Sequence, residues 1–79
     1  MIALVLSAFL SGQANLPENQ IFTLYRNSAL DSSMRVHVAT FDTDNGAAYN
    51  NENCGIAASL FASQEGVSVQ YWCEQGRFR

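Results

Sequence analysis

The chain has no lysine, one proline, one histidine, two cysteines and no run of apolar residues long enough to cross a bilayer. Each shortage excludes something. Four arginines against seven acidic residues leave a net charge of −3. That balance argues against nucleic acid and anionic membranes, both of which need a basic patch. One histidine and two cysteines fall short of the four ligands of a structural zinc site. No C-x-x-C pair, P-loop, G-x-G-x-x-G, H-E-x-x-H or N-x-S/T sequon occurs, so no cofactor is implied.

What is present fits one small domain. Seventy-nine residues leave no room for a second, and 48% hydrophobic residues is ordinary for a globular chain. That apolar content is uneven. Met1 to Ala14 holds ten apolar residues in fourteen and no charged side chain. Ile2 to Leu10 has the length of the apolar region of a secretory signal, and Gly12 and Ala14 are small residues suited to a cleavage site. Against this stand the lack of a basic start and a length slightly short of the usual ~15 residues. The competing reading is an N-terminal segment that packs over the fold. Export is favoured, to a secreted or periplasmic location, with residues 15–79 as the mature domain. No stable membrane span is expected.

Cys54 and Cys73 stand 19 positions apart. An even count in a short exported chain reads as one disulfide. Closing a loop of that size contributes roughly 3 kcal/mol in the chain-entropy model. The mature chain is short enough to need such a staple.

Hydrophobic periodicity sets the elements. Ile21–Arg26 is rich in strand formers, Asn27–Ser33 is a turn cluster, and Met34–Phe41 alternates cleanly. Asp42–Tyr49 reads as a loop, and Asn50 or Asn51 as an N-cap with Glu52 in the first helical turn. Ile56, Ala57, Leu60 and Phe61 form the apolar stripe of a helix that Gly66 ends. Val67–Cys73 alternates again as a strand. The order β-β-α-β predicts an α+β fold, one helix packed on a three-stranded mixed sheet. Its second and third strands run parallel, and the first lies either between them or on the outer edge. Cys54 near the helix start and Cys73 at the end of the last strand then fall at one end of the layer, where they can bridge.

The sheet face away from the helix is expected to carry Ile21, Thr23, Tyr25, Arg35, His37, Ala39, Phe41, Ser68, Gln70 and Trp72. So aromatic a face marks a contact surface, with Tyr25, His37, Phe41 and Trp72 as anchors. Its cover is either the chain's own N-terminus or tail, a protein partner or a second copy. The leading reading is therefore a non-enzymatic interaction module of unknown partner. The alternative is a small hydrolase or cation-binding domain at the loop before the helix, built on Asp42, Asp44 and Glu52. The EF-hand pattern fails there, because its fifth, sixth and twelfth positions hold Gly46, Ala47 and Asn53. His37 is the one conventional general base, with Thr23 and Ser68 the nearest nucleophiles and no motif around them. No residue is assigned a catalytic role.

Overall fold

A computed structural model describes residues 16–79 of the chain. The signal-peptide reading of residues 1–14 therefore lies outside the described residues. The chain enters through a single 3-10 turn, Glu18–Gln20, and continues into β1, Phe22–Arg26. A loop leads to β2, Val36–Phe41, then to helix α1, Ala47–Ala62, and finally to β3, Tyr71–Gln75. The sheet order is β2-β1-β3.

The element order is the expected β-β-α-β, and the helix packs on the three-stranded sheet. The sheet itself is antiparallel rather than mixed. β2 and β3 share a direction, but β1 lies between them and pairs antiparallel with both. A central first strand replaces the direct parallel pairing with two antiparallel ladders.

That central position explains the core. Thr23, Leu24 and Tyr25 are consecutive and all buried, so β1 is covered on both faces. Among the described residues, Ile21, Leu24, Tyr25 and Cys54 are the fully buried apolar ones. Four such side chains make a thin core, and the Cys54–Cys73 disulfide supplements it across a Cα–Cα distance of 6.2 Å. The bridge joins the middle of α1 to the middle of β3, not one end of the layer. The reason is that both elements are shifted from their expected bounds. The helix starts at Ala47, after Gly46 at φ 104°, and the last strand starts at Tyr71. Val67–Gln70 is not strand.

Two polar side chains are buried with all their needs met. The Asn50 amide donates to the Gln20 carbonyl at 2.7 Å and to the Thr43 carbonyl at 2.9 Å. Its oxygen accepts from the Thr43 hydroxyl at 2.7 Å and the Thr43 backbone N–H at 3.2 Å. Asn50 thus lies inside the first helical turn and ties the entering chain, the β2–α1 loop and the helix together. It is not the N-cap. Thr23 donates its hydroxyl to the Gly76 carbonyl at 2.6 Å. Gly76 sits at φ 104°, which glycine adopts at no steric cost, and its N–H bonds the Ile21 carbonyl at 2.7 Å. That turn folds the tail back over the sheet.

Candidate functional site

The two faces of the sheet carry different chemistry, and a β-bulge decides which residue goes where. Tyr25 pairs with His37 but Leu24 pairs with Ala39, so Val38 is the extra residue. One inserted residue reverses the alternation beyond it. His37 and Thr40 consequently lie on the same face, with the His37 Nε2 and Thr40 Oγ1 2.9 Å apart. Ala39 and Phe41 pair with Leu24 and Phe22, on the side of Cys73 and the helix. Phe41, expected on the far face, is therefore placed on the opposite one, together with Ala39.

The far face gathers Thr23, Tyr25, His37, Thr40, Trp72 and Glu74. Tyr25 stacks on Trp72 with ring centroids 6.0 Å apart. The Arg35 guanidinium lies over the Tyr25 ring, 4.3 Å from its centroid, a cation–π arrangement. Arg35 also forks onto Glu74, with Nη2 to Oε1 at 3.0 Å and Nε to Oε2 at 3.2 Å. The Trp72 indole N–H donates to the same Glu74 carboxylate at 2.8 Å. This hydrogen bond first, and Arg35 second, hold the Glu74 carboxyl below its ordinary pKa, while Glu74 raises that of Arg35.

The tail closes this face. Phe78 packs against Tyr25 and His37, with centroid distances of 6.1 and 5.0 Å. Arg77 pairs with Asp42 at 3.1 Å, Arg79 pairs with Glu18, and the Arg79 carbonyl accepts from Arg35 at 3.3 Å. Tyr25 is left 1% exposed. Of the four expected anchors, Tyr25, His37 and Trp72 come together, Tyr25 is sealed, and Phe41 is elsewhere.

The three acidic residues of the loop before the helix and the first helical turn have separate surroundings. Asp42 is engaged by Arg77, and Asp44 and Glu52 are exposed. Among the described residues no three His, Cys, Asp or Glu side chains come close enough to hold a metal ion. Among the described residues the His37 ring hydrogen-bonds the Thr40 hydroxyl and no carboxylate, so the third member of a triad is not present there.

Among the described residues the outer side of α1 is an open surface. Cys54 is fixed to the sheet by its disulfide, which sets the rotation of the helix. Asn50, Ala57, Ala58 and Phe61 share the Cys54 side, and Phe61 stacks on Tyr71 at 5.3 Å. Tyr49, Ile56 and Leu60 recur at intervals of seven and four residues, which is one helical face. They are 47%, 51% and 63% exposed. The expected inward stripe of Ile56, Ala57, Leu60 and Phe61 is thus split between the two sides, because the helix is apolar almost all round. In sixteen residues it carries one charged side chain, Glu52. Sequence reasoning missed this outward stripe, although Cys54 held the signal: a disulfide to the sheet fixes which residues turn away from it.

Among the described residues no helix is long and apolar enough to cross a membrane. No protein-family model, no curated protein and no solved structure matches this chain.

Proposed function

We propose that this protein is a non-enzymatic interaction module, exported to a secreted or periplasmic compartment, that docks a protein partner through the outer side of α1. The observation that carries the reading is the row Tyr49, Ile56 and Leu60, 47–63% exposed on a helix with one charge. Large side chains left in water on one face, with almost no charge between them, mark a contact surface. The aromatic sheet face suits this role less well, since its central ring is sealed by Arg35, Trp72 and Phe78. His37 and Phe78 form its accessible rim. Export is supported by the disulfide, which persists in oxidising compartments, and by the uncharged apolar run at Ile2–Leu10.

Site-specific photocrosslinking in the native host tests the docking surface. A benzoylphenylalanine at position 60 is expected to give one discrete protein adduct, lost when Ile56→Glu is added. Absence of an adduct, or an adduct indifferent to Ile56→Glu, overturns the reading. Export is checked by intact mass: processing after Ala14 leaves a chain starting at Asn15, two hydrogens lighter for the bridge.

A further inference from the structure

An asparagine side chain is lost when the backbone nitrogen of the next residue attacks its amide carbon. That nitrogen must be unengaged, and the side chain must be free to turn onto it. Among the described residues, all asparagines but one fail this condition. After Asn19, the Gln20 N–H donates to the Pro17 carbonyl at 2.9 Å. After Asn27, the Ser28 N–H donates to the Asp31 carbonyl at 3.2 Å. The Asn27 side chain is itself bonded at both ends, to the Ser32 carbonyl and the Gln70 N–H. Asn50, Asn51 and Asn53 are each followed by an N–H held in the α1 ladder.

Asn45 is the exception. It is exposed in the turn before α1, and its backbone N–H donates to the Thr43 hydroxyl at 3.3 Å. Its side chain and the Gly46 N–H bond to nothing else among the described residues. Gly46 stands at φ 104°, and a Cβ added there would meet nothing within 4 Å. A small ring closed at this nitrogen therefore strikes no neighbour. The turn is also held in place on both sides. The Asn50 side chain binds Thr43, and the Asn50 N–H donates to the Gly46 carbonyl at 3.1 Å.

We propose that Asn45 is a site of spontaneous deamidation in the folded protein. The Gly46 nitrogen bonds to the Asn45 side-chain carbon, whose bond to its own nitrogen breaks. The Gly46 amide proton leaves with that nitrogen as ammonia, and a five-membered imide remains. Water opens the imide at either carbonyl, giving aspartate or its isomer with a lengthened backbone. Nothing is oxidised or reduced. Either product adds one negative charge to a chain of net −3. That charge stands in the turn just ahead of Tyr49, at one end of the outer row of α1. The surface thus changes with the age of the molecule, whereas the conversion is independent of what the surface binds.

Incubating the oxidised chain in mildly alkaline buffer, which helps the attacking nitrogen shed its proton, tests the proposal. Intact mass should rise by one unit, and peptide mapping should place the change at Asn45. An exposed turn needs no unfolding, so the rate should lie within about tenfold of that of a blocked Thr-Asp-Asn-Gly-Ala peptide. Asn45→Gln, which moves the reacting carbon one bond away, should remove the gain and leave the melting temperature unchanged. A gain mapped first to any other asparagine would overturn the assignment. So would a rate more than about tenfold below that of the peptide, since the turn would then have to open before reacting.

Discussion

The far face of the sheet and the outer face of α1 are both rich in large apolar side chains, yet one is closed and the other open. On the sheet, Tyr25 is flanked by Trp72, roofed by Arg35 and shut in by Phe78. On the helix, Tyr49, Ile56 and Leu60 stand in a row with nothing across them among the described residues. Aromatic content alone does not tell the two apart. What does is the geometry around them, since Gly76 turns the tail inward over the sheet while the disulfide leaves Tyr49, Ile56 and Leu60 on the outward side of the helix. Availability belongs to the cover rather than to the residue.

The largest test of this contrast removes the link between the two faces. Replacing Cys54 and Cys73 together by alanine is expected to cost about 3 kcal/mol, roughly 12–24 °C in melting temperature for a domain of this size. The loss is read by calorimetry. A shift under about 4 °C would mean that packing, not the bridge, sets the helix rotation.

A smaller effect should convert the closed face into an open one. Phe78→Ala removes a half-exposed ring and is expected to cost about 1 kcal/mol. Tryptophan emission should shift to the red as water reaches Trp72 and Tyr25. No shift would show that Arg35 and Glu74 close the face without the tail.

The smallest effect is electrostatic. Glu74 has a folded pKa below its ordinary value near 4.5. Its contribution to stability is therefore present above that ordinary value and is lost as pH falls through the lowered folded value. The group is partly exposed, so the change is small after solvent screening. Denaturant titrations below pH 5 should show a steeper loss for the native protein than for Glu74→Gln. The three ion pairs seen among the described residues are all solvent-exposed, so each adds little to stability.

Much of the architecture was legible in the residues. Strand-forming residues identified β1 and alternation the better part of β2, and two cysteines in a short chain were sufficient to name the bridge. The bulge was not legible, because neither glycine nor proline marks Val38, and one unpaired residue moved Phe41 across the sheet. The helix start was misplaced because asparagine is a good cap in the abstract. Here Asn50 is worth more inside the fold, where four hydrogen bonds satisfy it. Helix rotation was misread because apolar residues on every side give periodicity no preferred direction. Val67–Gln70 alternates like a strand but leads into β3 without joining it, since pairing with β1 begins at Arg26 and Tyr71.

The placement of β1 has a consequence for how the chain is made. The strand at the centre of the sheet is translated first, and the strand that completes it comes last, with the Thr23–Gly76 hydrogen bond spanning 53 residues. A sheet built on such distant partners forms late, because loop closure must precede any reward from pairing. The ribosome therefore releases almost the whole domain before it can fold.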